Sequence, residues 1–120
     1  KLVPKMREYR IHVCNGKIIH QQQKVRKKEH AHLPVPEVRS HANGFIFKIH
    51  DLEVPTCVRE QGLAAIRALG LDFGAVDVIW NQSQDRAYVL EVNTAPGLEG
   101  SSVGIYAKAL RELIKERFNV

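Results

Sequence analysis

Two acidic side chains in the second half of the chain have the type and spacing of ligands for a hard metal ion. Asp77 and Glu91 lie in residues 75–81 and 87–93, which both alternate between apolar and polar residues and so predict strands. The polar loop between them has the length of an ordinary hairpin loop. If the turn is centred on Gln84, Asp77 lies directly opposite Glu91, with β-carbons about 4.5–5.5 Å apart.

The predicted pairing of the Asp77 and Glu91 carboxylates favours a bound cation. Two ionised carboxylates at this distance repel each other unless one is protonated or a cation lies between them. Asn93 follows Glu91 by two residues and faces the same side of the strand. Two carboxylates and an amide oxygen suit Mg²⁺, which completes its shell with waters and substrate phosphates. The pattern predicts that Asp77, Glu91 and Asn93 bind Mg²⁺, with Mn²⁺ as the alternative ion; the other interpretation is a solvated hairpin face.

The composition is that of one modest globular domain. The chain has 120 residues, 44% of them hydrophobic, and begins at Lys1, so we expect a fragment or a processed form. It has neither a run long enough to cross a membrane nor a signal-peptide pattern. Its two cysteines, Cys14 and Cys57, show no framework spacing, which favours a reducing, cytoplasmic location.

The chain has a net charge of +5, and much of this excess positive charge lies in residues 24–28. Such a patch attracts nucleic acid, an anionic surface or a nucleotide triphosphate. A nucleic-acid-binding module would need aromatic side chains for base stacking, and Tyr9 and Phe45 are the candidates on the predicted strands. His30 and His32 could hold a metal, but a solvated loop explains this pair better because no third ligand of a known pattern is near.

The order of predicted elements indicates an α+β fold. The dipeptide Asn15-Gly16 is typical of a type I′ turn in a β-hairpin. A polar, proline-containing loop is predicted at residues 26–43, and loops of this length are typically functional lids or disordered segments. The other predicted elements are strands at 8–14, 17–25, 44–49, 75–81 and 87–93 and helices at 55–69 and 102–118. We expect an antiparallel sheet covered by helices on one face.

Both predicted helices are amphipathic. Thr56 is a candidate N-cap for the first helix, and Gly70 is placed as its C-cap. The predicted buried face of the first helix consists of Val58, Gly62, Ala65, Ile66 and Leu69. The predicted buried stripe of the last helix consists of Val103, Tyr106, Ala107, Leu110, Leu113, Ile114 and Phe118.

Two motifs resemble those of the ATP-grasp superfamily of carboxylate–amine ligases. They are LGLDFGAVDV at residues 69–78 and YVLEVNTAPGLEG at residues 88–100, the second being close to the specific Glu-Val/Ala-Asn-Thr/Ser-x-Pro-Gly signature. The opening EYRIHV at residues 8–13 is similar to a Glu/Asp-x-Arg strand in the branch that includes ribosomal-protein glutamate ligases and phage-encoded proteins. Together these matches span most of the chain.

The resemblance implies roles for the candidate ligands. Glu91 would bridge two Mg²⁺ ions, with Asp77 on one and Asn93 on the other, next to the phosphates of ATP. Arg10 matches an arginine expected near the phosphates and is a candidate catalytic residue, since its side chain is planar and always charged. The alternative for Arg10 is a surface salt bridge, for instance to Glu8.

Further positions match the family less closely. Arg39 and Asn43 fall where relatives carry an Arg-x-Asn-like segment, so Arg39 would help to hold an acyl phosphate and Asn43 would contact substrate; a solvent-facing loop is the alternative. Lys24 and Arg26 are candidates to face the triphosphate. The last group is Ser101 and Ser102, at a helix N-terminus that suits an anion; Ser102 matches a substrate-binding position in D-alanine–D-alanine ligases, and either serine could instead be the N-cap.

The matches cover only the C-terminal subdomain of an ATP-grasp fold, which we assign to residues 1–120. The resemblance implies an ATP-dependent carbon–nitrogen ligase in which a carboxylate becomes an acyl phosphate and an amine then attacks it. An N-terminal part of the same polypeptide, or a partner chain, would complete the nucleotide cleft. The basic loop hints at an acidic amino acid or peptide as substrate. A nucleic-acid-binding or non-catalytic interaction module is the alternative function.

Overall fold

The computed structural model describes residues 6–26, 45–50, 52–98 and 100–118. Antiparallel pairing joins five strands into one sheet in the order β3-β2-β1-β4-β5. The elements are β1 (Met6–Cys14), β2 (Lys17–Arg26), β3 (Phe45–Lys48), α1 (Thr56–Leu69), β4 (Phe73–Asn81), β5 (Arg86–Asn93) and α2 (Ser101–Phe118). This α+β architecture with an antiparallel sheet is the fold class that the sequence predicts.

The first hairpin has the predicted turn. Asn15 and Gly16 both have positive φ, 53° and 73°, as the two central residues of a type I′ turn require. The ladder contains one irregularity, because His12 pairs with His20 while Val13 pairs with Ile18. Ile19 is therefore an extra residue in β2, and the two strands keep their pairing on both sides of this bulge.

The hydrophobic core lies between α1 and one face of the sheet. Alternate residues of β1 and β4 are buried there with residues of α1, which explains the alternating sequence pattern. The fully buried cluster consists of Tyr9, Ile11, Val13, Val58, Ile66, Val76 and Val78. A β-carbon at Gly62 would lie 2.9 Å from Ile11 Cγ2, so the glycine allows α1 to approach β1 closely.

The second helix lies on the opposite face of the sheet. Ile11 of β1 packs against Gly62 of α1, whereas the next residue, His12, bonds to Tyr106 of α2. Because neighbouring residues of a strand point to opposite faces, the two helices flank different sides. Our expectation that helices cover one face is therefore wrong in this detail. The reason is that β1 is buried on both faces, a property that the alternation of its residues does not reveal.

The ends and faces of the helices differ in part from the sequence prediction. Thr56 is the first residue of α1 rather than its cap, because Pro55 holds the N-cap position. Gly70 has φ 65° and is the predicted left-handed C-cap, but Leu69 is 59% exposed. In α2, Tyr106 and Leu113 are buried as predicted. The predicted stripe is wrong at Val103, Ile114 and Phe118, which are exposed; among the described residues, the main strand contacts of α2 are with β1 and β2.

Within the described ranges, neither helix is long and apolar enough to cross a membrane. Of the predicted loop at residues 26–43, Arg26 belongs to β2 and all the others lie outside the described residues. The third strand is shorter than predicted, since it covers only Phe45–Lys48.

Candidate metal and phosphate site

The face of the sheet opposite α1 carries the polar side chains. Alternation along the strands and the register between them place these residues on one side. We call this surface the polar face and define it by Glu8, Arg10, His12, Gln22, Lys24, Phe47, Asp77, Glu91 and Asn93. Among the described candidates from the sequence, the sheet thus brings together Arg10, Lys24, Asp77, Glu91 and Asn93.

Asp77 and Glu91 are directly paired across β4 and β5. The turn that joins these strands is one residue shorter than predicted, because Asn81 pairs with Arg86. Continued without interruption, this register would put Leu90 opposite Asp77. A bulge at Leu90 adds the missing residue, so that Glu91 takes that place. The predicted opposition of the two carboxylates is confirmed, although the turn is not centred on Gln84.

Arg10 already lies against one of the two carboxylates. Its Nε donates to Asp77 Oδ1 at 2.8 Å, and its Nη2 donates to Asp77 Oδ2 at 3.3 Å. The pair is mostly enclosed, with 21% and 16% of the two side chains exposed. The predicted alternative of a salt bridge for Arg10 is therefore present, but with Asp77 and not with Glu8. Asp77 thus occupies a position that attracts a cation.

A second ion pair and an aromatic ring lie beside the first. Lys24 Nζ is 2.8 Å from Glu8 Oε2. Both cations lie over the ring of Phe47, whose centroid is 4.5 Å from Arg10 Cζ and 5.7 Å from Lys24 Nζ. These distances are those of cation–π contacts. Sequence reasoning missed Phe47. Residues 27–44 separate β3 from β2 in the sequence, so no local pattern reveals the register between these two strands.

The remaining predicted ligands are Glu91 and Asn93. Glu91 is exposed at the edge of the sheet. Asn93 Oδ1 accepts a hydrogen bond from the Ala95 N–H at 2.9 Å, which fixes the side chain in a turn. An amide oxygen has a second lone pair, so this bond leaves one acceptor position free for a cation.

The donor set fits a hard divalent ion. It consists of two opposed carboxylates and an amide oxygen, which are ligand types that Mg²⁺ prefers. In the described part of the chain, no group of three His, Cys, Asp or Glu side chains is close enough to hold a metal. The predicted site contains two carboxylates, those of Asp77 and Glu91. A metal bound there would therefore need Asn93, waters or phosphate oxygens as further ligands.

The substrate candidates lie elsewhere or outside the described residues. Ser101 is the first residue of α2 and is exposed, while Ser102 is buried. Arg39 and Asn43 lie outside the described residues, as does the side chain of Arg26, the last residue of β2. The predicted roles of all five residues stay predictions.

Tyr9, one of the two aromatic candidates for nucleic-acid binding, is buried in the structure. Tyr9 is 1% exposed because it belongs to the core under α1, so it cannot stack on a base. The side chain of Phe45 lies outside the described part. The nearby Phe47 ring is engaged with Arg10 and Lys24. The described residues thus offer little support for the nucleic-acid alternative.

Sequence reasoning also missed a buried polar network beside the site. His12 Nε2 lies 2.6 Å from Gln22 Oε1, and His12 Nδ1 is bonded to the Tyr106 hydroxyl. Since the Gln22 oxygen only accepts, Nε2 carries the proton and Nδ1 accepts from Tyr106. Burial lowers the pKa of His12 to about 4 and raises the pKa of Tyr106 to about 12. This neutral network joins α2 to β1 and β2.

A separate cavity of about 450 Å³ lies along α2. The residues that line it are Lys108, Arg111, Glu112, Ile114 and Lys115. None of them was predicted as a site residue, and none belongs to the polar face. We therefore place the candidate site on the sheet, where the opposed carboxylates lie, and not in this cavity.

Part of the sequence is similar to that of a known ligase. No family model matches the chain. A D-alanine–D-alanine ligase of Xanthomonas axonopodis pv. citri is 42% identical over 62 residues, which are 51% of this chain and 19% of that protein. The chain therefore spans about a fifth of the curated relative that it matches.

Solved structures with a similar fold are also ligases. The D-alanine–D-alanine ligase of Bacillus anthracis has a TM-score of 0.63 at 19% identity, over 94% of this chain and 42% of that one. The ATP-grasp ligase PsnB, complexed with a minimal precursor, has a TM-score of 0.53 at 18% identity, over 92% of this chain and 31% of that one. The predicted resemblance to ATP-grasp ligases is confirmed, and the chain has the fold of part of such an enzyme.

Proposed function

We propose that this chain is the metal- and phosphate-binding half of an ATP-dependent carboxylate–amine ligase. The observation that carries the proposal is the pairing of Asp77 with Glu91 on the polar face of an ATP-grasp-type fold. Similar structures have been solved with the ligands that this function requires: the B. anthracis ligase with ATP, and PsnB with Mg and ADP. We transfer these ligands, and the assignment of residues 1–120 to the C-terminal subdomain, as parts of the proposal.

Asp77, Glu91 and Asn93 would hold Mg²⁺, with Mn²⁺ as the alternative ion. When bound, the metal would neutralise charge on the β- and γ-phosphates during phosphoryl transfer. Arg10 lies on the central strand of the sheet, which is a rigid support for a guanidinium that contacts phosphate. Lys24 lies on the same face and adds a second positive charge, and Arg26 at the end of β2 is a further candidate.

The reaction would proceed through an acyl phosphate. A carboxylate oxygen attacks the γ-phosphorus and ADP leaves; the amine then attacks the acyl carbon, and phosphate leaves as the amide bond forms. The protein positions reactants and balances charge, so it needs no nucleophilic side chain. Burial raises the pKa of the Cys14 thiol, and burial together with Asp85 raises that of Cys57, so neither is an activated thiolate.

Other parts of the protein would complete the site. Arg39 would hold the acyl phosphate, and Asn43, Ser101 and Ser102 would contact the substrate. An N-terminal part of the same polypeptide, or a partner chain, would supply the opposite wall of the nucleotide cleft. We propose an acidic amino acid or peptide as substrate and a cytoplasmic location, where ATP is available.

The test is amine-dependent release of ADP by this chain joined to an upstream ATP-grasp half. Acidic amino acids and glutamate-rich peptides would serve as carboxylate or amine donors, with Mg²⁺ and ATP. We expect ADP release that needs both donors and falls at least about 100-fold in Glu91→Gln. Glu112→Gln, an exposed acid on α2, is the matched control and should retain activity. Equal activity in both variants would contradict the proposal.

A further inference from the structure

The guanidinium of Arg10 occupies the place beside Asp77 that a metal ion would need. We propose that the Arg10 guanidinium occupies the metal site and must leave Asp77 before a divalent ion can bind there. The Phe47 ring would then keep the guanidinium on the polar face through a cation–π contact. This inference rests on the proposed function, since it assumes that Asp77 is a metal ligand. It adds an exchange between a side chain of the protein and the metal.

The contact between Arg10 and Asp77 engages both carboxylate oxygens. Nε donates to Oδ1 at 2.8 Å and Nη2 donates to Oδ2 at 3.3 Å. Mg²⁺ binds carboxylate oxygens at about 2.0–2.1 Å, so an ion on either oxygen would lie within about 5 Å of the guanidinium. The two cations would repel each other strongly, because the pair is mostly shielded from water. Arg10 and a metal ion therefore compete for Asp77.

Phe47 gives the released guanidinium a second contact. The ring centroid lies 4.5 Å from Arg10 Cζ, and this attraction does not depend on the carboxylate. Lys24 does not compete for Asp77, since Glu8 holds its ammonium at 2.8 Å. Phe47 is thus a positioning residue that keeps Arg10 on the polar face after it leaves Asp77.

A phosphate group that arrives with the metal would be a new partner for Arg10. Phosphate oxygens accept paired hydrogen bonds from a guanidinium, as the Asp77 carboxylate does. When nucleotide and metal bind together, both side chains would have a partner of opposite charge: Asp77 would bind the metal, and Arg10 would bind phosphate. A metal ion alone would leave the guanidinium without an anionic partner. The site should therefore bind metal weakly in the absence of nucleotide.

The test measures binding of Mn²⁺ alone to the chain, by electron paramagnetic resonance of the free ion. We expect Arg10→Gln to bind Mn²⁺ about tenfold more tightly than the wild type, a typical size for coupling between two sites. Arg117→Gln is the matched control, because it also removes one positive charge and frees one carboxylate, Asp72, outside the polar face. It should bind Mn²⁺ as the wild type does.

The outcomes separate this inference from the proposed function. Equal Mn²⁺ affinities of Arg10→Gln and Arg117→Gln, or no measurable binding by Arg10→Gln, would overturn the exchange. The gain should disappear in the double variant Arg10→Gln/Glu91→Gln if it arises at the predicted site. If Arg10→Gln does not fold, Arg10→Lys should give an intermediate gain, since an ammonium cannot make the paired contact. Loss of Mg²⁺-dependent ATP binding in Glu91→Gln would support the proposed function even if the exchange failed.

Discussion

His12 is the buried residue that connects the last helix to the polar face. It is 1% exposed and makes one hydrogen bond to Gln22 of β2 and one to Tyr106 of α2. The bond from Tyr106 requires the neutral ring, because Nδ1 accepts the Tyr106 proton, whereas Nε2 can donate to Gln22 in either protonation state. Burial is the largest cause of its low pKa, and the nearby charges of His20 and Arg10 lower it further. Protonation of His12 should therefore loosen the contact between α2 and the sheet.

Acid should destabilise the protein through this residue. The pKa of His12 is about 4 in the folded chain and 6.5 in an unfolded one, so between these values the unfolded state binds more protons. The contribution of His12 to the free energy of unfolding is fully present above about pH 6.5. It is lost as the pH drops towards 4, and the loss is at most about 3 kcal/mol. Burial also lowers the pKa of His20, which acts in the same direction.

Urea unfolding at pH 7, 5.5 and 4 measures this effect. His12→Gln should be less stable than the wild type at pH 7 and should lose less stability on acidification. Parallel losses in both proteins would show that His12 does not carry the pH dependence. His50 is exposed, so His50→Gln is the control and should follow the wild type.

Local spacing was sufficient to predict that three of the candidate ligands share one face of the sheet. Asp77, Glu91 and Asn93 lie in one hairpin, so alternation and loop length place them on one face. The partner of Arg10 could not be predicted in this way. It lies 67 residues away, and only the pairing of β1 with β4 brings the two side chains together.

At the scale of elements, the close contact between α1 and β1 holds the core under the site. Gly62 faces Ile11, which is adjacent to both Arg10 and His12 of the polar face. A methyl group at Gly62 would lie 2.9 Å from Ile11 Cγ2 and 3.0 Å from its Cβ, closer than ordinary packing allows. Gly104 of α2 is the opposite case, since a β-carbon there meets nothing within 4 Å.

The two glycines should respond oppositely to alanine. Gly62→Ala gains helix propensity of about 1 kcal/mol but forces α1 away from β1, so we expect a net loss of about 1–2 kcal/mol. Gly104→Ala gains the propensity without a clash and should stabilise by up to about 1 kcal/mol. Denaturant unfolding of both variants tests this. A stabilising Gly62→Ala would mean that the helix and strand are not as close as described.

The elements themselves were largely predictable, and their mutual placement was not. The Asn15-Gly16 turn and both helices follow from turn chemistry and periodicity. The bulge at Leu90 was missed because two errors cancel: the shorter turn and the extra residue together restore the predicted pairing. The side taken by α2 depends on long-range contacts such as His12 with Tyr106, which no local pattern encodes.

At the scale of the whole molecule, we propose that the polar face is one wall of a cleft. Its two ion pairs and opposed carboxylates lie on a five-stranded sheet whose other face is covered by α1. Such a wall can supply metal ligands and positive charge, but nucleotide binding between two walls needs the second one. The chain covers 42% of the B. anthracis ligase with a similar fold, and we propose that the rest of the cleft corresponds to parts outside this match.

The most direct measurement is calorimetry of ATP binding with and without Mg²⁺. It would use the 120-residue chain, the same chain joined to an upstream ATP-grasp half, and Glu91→Gln in each; Glu60→Gln, an exposed acid on α1, is the control. We predict Mg²⁺-dependent binding by the joined form that Glu91→Gln abolishes, and only weak binding by the chain alone. Unchanged binding in Glu91→Gln would contradict the metal site, and micromolar binding by the chain alone would contradict its being half of a cleft.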